Sequence, residues 1–175
     1  MQRFSRLLLA PIAIYASSGY ATTYFTLAQV QSAMLPNATW VSSEWALSQA
    51  DKKAISAASK VNVRDATVKT WLANTGERLI VDQVLGKHEF ITYAVLLDKN
   101  GAVAQIEVME YKETYGDQIR QPKWRAQFYG KQNGAALTLD QDIKNISGAT
   151  LSCKHISDGV KRLLATHALV RARPS

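Results

Sequence analysis

Four segments set the pattern of the chain: "VNVRDATVKTWLA", "RLIVDQVLG", "EFITYAVLLD" and "AVAQIEVMEY". Each mixes β-branched and aromatic residues with polar ones over strand length, which predicts strands. Asp98-Lys99-Asn100-Gly101 joins the last two, and Asn-Gly between alternating apolar runs is a strong hairpin signal. The expected arrangement is a mostly antiparallel meander over residues 61–111. Helical spacing lies on either side of it. Leu27, Val30, Met34 and Leu35 recur on one face, Thr26 and Gln29 have capping-box spacing, and Pro36 marks a stop. "SQADKKAISAASK" predicts a second helix with Ser48 as its N-cap. After the strands, Gly116 and Gly130 punctuate turns, and Pro122 opens a short helix with Trp124 and Phe128 on one face. "AALTLDQDI" predicts one more strand. Ile156, Val160, Leu163, Leu164 and His167 trace a last helix from about Thr150 to His167, followed by a frayed tail, "RARPS". Strands grouped centrally with helices outside them give an α+β fold: a mostly antiparallel β-meander sheet with flanking helices and a C-terminal helix.

The N-terminus changes this picture. Arg3 and Arg6 precede an apolar run from Leu7 to Ile14, and small residues follow up to Ala21. That is the layout of a secretory signal peptide, with cleavage expected after Ala21. The run is too short for a comfortable membrane span. The chain then divides into a signal peptide (1–21), an N-terminal helical segment (22–60), a main domain (61–168) and a tail (169–175). The expected product is exported, periplasmic after cleavage, and open to peripheral membrane association.

Composition is globular, with 47% hydrophobic and 20% charged residues. Without Arg3 and Arg6 the chain has 19 basic and 14 acidic residues, a net charge of +5. The excess is scattered and suits anionic partners or headgroups; no basic stripe or motif points to nucleic acid. Cys153 is the single cysteine, so an internal disulfide and a thiolate zinc site are excluded. The three histidines are dispersed, and no metal site is expected.

The most informative stretch is Ser147-Gly148-Ala149-Thr150, four small residues where the last helix begins. A helix start offers unpaired N–H groups and the positive end of its dipole, which suits a phosphate. Gly148 and Ala149 leave room for close approach to the backbone. The amides of Leu151, Ser152 and Cys153 are expected to point outward, joined by the Ser152 hydroxyl. The Thr150 hydroxyl stands where it could be an attachment point. The ordinary reading is a capped helix start.

"DIKNISGATLS" resembles the flavinylation signature of FMN-binding domains, among them the covalent-FMN subunits of sodium-translocating NADH:quinone reductase and of the Rnf electron-transport complex. The likeness continues through "FITYAVLLDKNGAVAQIEVMEYKETYGDQI" and "KWRAQFYGK", covering roughly residues 60 to 165. It implies FMN joined through its phosphate to Thr150 by a separate flavin transferase that uses FAD and a divalent metal. It assigns Ser147, Gly148 and Ala149 to the recognition motif, with Asp142 as its acid. Glu113, Thr114 and Gly116 would belong to the flavin pocket. Two positions depart from the pattern: Tyr115 stands where a proline is common, and Cys153 where a further hydroxyl residue is common.

Other residues have two readings. Arg125 and Lys131 suit phosphate or reduced-flavin charge, against plain solvated cations. Trp124 suits ring stacking, against core packing with Phe128. Tyr93 reads as core. Cys153 is a redox thiol or a buried small residue, and His155 a proton relay or a bystander.

With no nicotinamide fingerprint and no catalytic triad signature, the inventory fits an electron carrier rather than a stand-alone enzyme. Its partner would be a membrane redox protein or electron-transport complex. The alternatives are a non-covalent ligand-binding or sensory module on the same fold, and a small extracellular flavin reductase.

Overall fold

The computed structural model describes residues 22–173; the expected signal peptide, residues 1–21, lies outside the described residues. The fold is α+β. Its sheet has six strands: β1 (Thr22–Thr23), β2 (Trp40–Ala46), β3 (Thr67–Ala73), β4 (Arg78–Leu85), β5 (Phe90–Leu97) and β6 (Val103–Tyr111). Their order is β1-β6-β5-β4-β3-β2, and every neighbouring pair is antiparallel. The meander therefore starts earlier than the sequence pattern indicates. β2 pairs with β3 from Trp40↔Ala73 to Ala46↔Thr67 and forms one edge, while β1 closes the other. The segment read as helical thus also contains both edge strands.

Both faces of the sheet are covered. Leu79, Ala94, Leu96 and Met109 face helix α1 (Leu27–Met34), which contributes Val30 and Met34. Ile80, Val84, Ile91, Tyr93, Val95 and Val108 face the long helix α4 (Thr150–Arg171) through Ile156, Val160, Leu163 and Leu164. Coverage on both sides explains why β5 reads as a nearly unbroken apolar run, Ala94-Val95-Leu96-Leu97. Helix α2 (Gln49–Ser59) adds a smaller cluster in which Ile55 meets Leu47, Val63 and Ala165.

Local chemistry starts and stops these elements. Thr26 with Gln29 and Ser48 with Asp51 form complete capping boxes on α1 and α2. Pro122 opens the short α3 (Pro122–Arg125), which runs into a 3-10 turn at 126–128. The Asp98 carboxylate accepts the N–H groups of Asn100 and Ala102, and Gly101 takes φ +84°, which closes the β5–β6 hairpin.

Two expectations fail. The expected strand "AALTLDQDI" is a looped segment with Leu137 at φ +45° and Asp140 at φ +61°. The Asp142 carboxylate draws this loop around itself by accepting the N–H groups of Leu137 (2.9 Å) and Thr138 (2.5 Å). Leu137 and Ile143 are buried, so the apolar positions do enter the core, but from a loop. The expected frayed tail is ordered through residue 173: α4 continues to Arg171, and Arg173 forms an ion pair with Asp51 at 2.8 Å.

A polar network joins α4 to the sheet. Tyr93 Oη donates to Asp82 Oδ2 at 2.5 Å, and Arg162 on α4 reaches the same oxygen at 2.5 Å. Burial, and then the Asp82 charge, pushes the Tyr93 phenol well above its ordinary value. Gly159 permits this approach, because any Cβ there would collide with the Tyr93 hydroxyl.

Candidate functional site

The first turn of α4 lies beside the loop that follows β6 and the turn between β4 and β5. These three segments enclose a cleft of about 380 Å³, lined by Lys87, His88, Glu113, Thr114, Tyr115 and the first residues of α4 with Gly148 and Ala149. Its volume falls within the range of about 300–1,000 Å³ usual for small-molecule sites.

Helix α4 begins without a side-chain cap. Its N-cap is Ala149, and Thr150 is the first helical residue, so the Thr150 hydroxyl has no capping role. The first helical hydrogen bond runs from Cys153 N–H to Ala149 C=O at 2.9 Å. The Cys153 amide, expected to point outward, is therefore used by the helix. The N–H groups of Thr150, Leu151 and Ser152 precede that bond and stand in the position of unpaired helix-start donors. Thr150 itself is exposed. The Asn145 side-chain amide donates to its Oγ1 at 3.2 Å, and Asn145 Oδ1 accepts the Ile146 N–H at 2.9 Å. Asn145 thus holds the threonine oxygen from a fixed position without taking the hydroxyl proton. Gly148 has φ +82° and open space around it, so nothing crowds the backbone on that side.

A chain of hydroxyls braces the floor. Tyr111 Oη donates to the Tyr115 carbonyl at 2.5 Å and lies 3.2 Å from Ser152 Oγ. A carbonyl only accepts, so the Tyr111 proton goes to Tyr115 and Ser152 donates to Tyr111. Burial raises the Tyr111 pKa and keeps it a neutral phenol. Ser152 is buried and its hydroxyl turns inward, contrary to the expectation that it faces a phosphate; its backbone N–H is what it offers the cleft. Beneath the cleft, Gly116 adopts φ +97°, and a Cβ there would sit 2.6 Å from both Ala149 Cβ and Tyr111 Oη. Only glycine fits that turn.

Glu113 fastens the third wall. Its carboxylate accepts the N–H groups of His88 (2.6 Å) and Glu89 (3.1 Å) in the β4–β5 turn. Burial opposes its charge, but the N–H groups of His88, Glu89 and Lys87 outweigh it and hold the carboxyl below its ordinary value. The latch brings Lys87 and His88 to the cleft, two basic residues that no sequence pattern singled out. The only local hint was their place at a hairpin tip, "GKHE".

Of the residues singled out in the sequence, Gly148, Ala149, Thr150, Leu151, Ser152, Glu113 and Thr114 line this cleft. Gly116 supports it from below, Ser147 is exposed just upstream, and Asp142 organises the preceding loop with Lys131 at 3.8 Å. Trp124 lies in the core, edge-on to Phe128 at 5.2 Å, and donates to the Lys144 carbonyl. Arg125 is tied to Glu107 and the Ile106 carbonyl. Cys153 is buried and its thiol pKa is raised by that burial, the opposite of an activated thiolate. His155 donates from Nδ1 to the Leu85 carbonyl and pins α4 to the end of β4.

The FMN-binding domain family model matches residues 86–165. That segment belongs to the FMN-binding domain family. The match runs from the β4–β5 turn through most of α4 and so contains every residue that lines the cleft. The chain carries a flavin-binding module, and its cofactor is FMN. No curated protein matches the chain. The cleft suits FMN on structural grounds: an uncapped helix start for phosphate, open backbone at Gly148, and exposed apolar surface at Tyr115 and Leu151 for the ring. Among the described residues no helix is long and apolar enough to cross a membrane.

Proposed function

We propose that the protein is an exported electron carrier that holds one FMN covalently through its phosphate on Thr150. The observation that carries this reading is the exposed Thr150 at the uncapped start of α4, lining the cleft of an FMN-binding domain. A capping threonine would have its oxygen engaged with its own helix; this one is held only by Asn145. Thr150 Oγ1 would take the FMN phosphoryl group from FAD, with AMP leaving, in a reaction performed by a separate flavin transferase with a divalent metal. The N–H groups of Thr150, Leu151 and Ser152 would then hold the phosphate, and the Lys87 ammonium would add positive charge to the cleft, which His88 also lines. Bound FMN supplies one- and two-electron redox chemistry, and the protein supplies placement and electrostatics.

Covalent attachment suits a protein outside the cytoplasm, where a lost cofactor is not readily replaced. Net charge of +5 after leader removal favours docking on an acidic partner surface or on anionic headgroups. The partner is then a membrane redox protein that gives or takes electrons at the open side of the cleft.

Mass analysis of denatured protein from cells that possess the transferase tests the attachment. The expected product starts near Thr22 and carries one FMN on Thr150. Protein that loses all flavin on denaturation would leave a non-covalent module instead. For the carrier role, stopped-flow flavin bleaching should be slow with NADH alone and fast with partner membranes. It should slow again as salt rises, because exposed charges are screened beyond about 8 Å at physiological ionic strength.

A further inference from the structure

Tyr115 is the most exposed large apolar or aromatic side chain among the described residues, at 79%. A single exposed aromatic is ordinary on a surface. This one lines the cleft, and its backbone is fixed twice over. Its carbonyl accepts the Tyr111 hydroxyl, which also takes a hydrogen bond from Ser152 on α4. The next residue, Gly116, is wedged at φ +97° beneath Ala149. The ring is therefore carried on a rigid base tied to the helix that begins at Thr150. Leu151, on the first turn of that helix, lines the same cleft and is 42% exposed. Two large side chains from different elements thus leave apolar surface uncovered around one opening.

Rigid aromatic surface at a cleft mouth suits a planar ring, because the two-torsion tyrosine side chain loses little freedom on stacking. We propose that Tyr115 is the stacking residue for the isoalloxazine ring and that Leu151 forms part of the opposing wall. The inference rests on the FMN reading of this cleft and assigns the flavin-facing role to Tyr115, not to Trp124, which is buried and committed to Lys144.

The test uses the full mature chain made without the transferase and titrated with FMN, alongside the flavinylated protein. Tyr115→Ala should weaken FMN binding about tenfold, in the range of aromatic–base stacking. Tyr115→Phe should bind within about twofold of the parent, since the stacking face remains. Its bound flavin should nevertheless fluoresce several-fold more brightly, because a phenol in contact quenches the excited ring and a phenyl does not. Tyr115→Trp should restore the quenching. The side chain is largely in water, so all three variants should keep the parent's melting temperature. A purely structural role would not separate Phe from Trp by fluorescence. If the parent takes FMN and the variants match it in both affinity and fluorescence, the stacking assignment is wrong. If the parent takes no FMN by either route, the flavin reading fails and the assignment with it.

Discussion

Helices α1 and α2 are short and fully capped, whereas α4 is the longest helix described and has no side-chain cap. The difference follows from what holds each helix. α1 and α2 have few buried residues, Val30 and Met34 in one and Ile55 and Ser59 in the other, so their first-turn N–H groups matter to whether the helix forms. α4 buries Ile156, Val160, Leu163 and Leu164 against the sheet and anchors Arg162 to Asp82. Its stability comes from its body, which leaves its N-terminus available for a ligand. An uncapped start on so long a helix is informative here because the chain gives both α1 and α2 complete capping boxes.

The largest expected effect breaks this comparison at Thr150. Thr150→Ala should abolish covalent flavin while changing stability by less than about 0.5 kcal/mol, since no cap is lost. Flavin retained on the denatured variant would refute the attachment site; a large fall in melting temperature would refute the division of labour. Next is the body of α4. Arg162→Ala leaves Asp82 without its cationic partner at a mostly buried site and should cost about 3 kcal/mol, read by urea unfolding. Arg162→Met, which replaces the guanidinium by packing volume, should cost about as much, because Asp82 then keeps the Tyr93 hydroxyl but still lacks a cationic partner.

The far end of α4 should respond to acid. His167 is buried against Gly101 and Trp45, and its pKa is lowered to about 4. Burial is the main cause, with Arg171 and Arg78 adding to it and Asp98 opposing. The unfolded chain takes up the proton first, near its ordinary value of about 6.5. Stability is therefore complete above that pH, falls as pH drops toward 4, and loses nothing more from this group below it. The loss should be on the order of 3 kcal/mol. His167→Gln should flatten that part of a pH–stability profile. The smallest effect sharpens the contrast with Thr150: Ser48→Ala removes a working cap and should cost about 1 kcal/mol.

Much of the frame was legible because it is local. Thr26 with Gln29, Ser48 before its helix, Pro122 at α3 and Asn100-Gly101 in the hairpin act within a few residues, where sequence spacing is spatial spacing. β2 was not legible. Five of its seven residues are exposed, Val41 at 70%, so the alternation that marks a half-buried strand is absent. Only pairing with β3 makes it a strand. The segment 135–143 failed in the opposite way. Leu137 and Ile143 are buried as a strand's residues would be, but the Asp142 side chain takes the N–H groups of Leu137 and Thr138 in place of a ladder partner.

The sequence by itself determined that small residues and a hydroxyl open the last helix, that a meander precedes it, and which family pattern surrounds Thr150. The tertiary structure decided what those residues face. Glu113 and the β4–β5 turn are 24 to 25 residues apart, and their hydrogen bonds put Lys87 and His88 at the cleft. Tyr111 and Ser152 are 41 apart, and their contact turns the serine hydroxyl inward and ties the Tyr115 loop to α4. Such partners are chosen by chain packing over long separations, and each donor has one proton to place. No spacing along the chain records which acceptor will receive it.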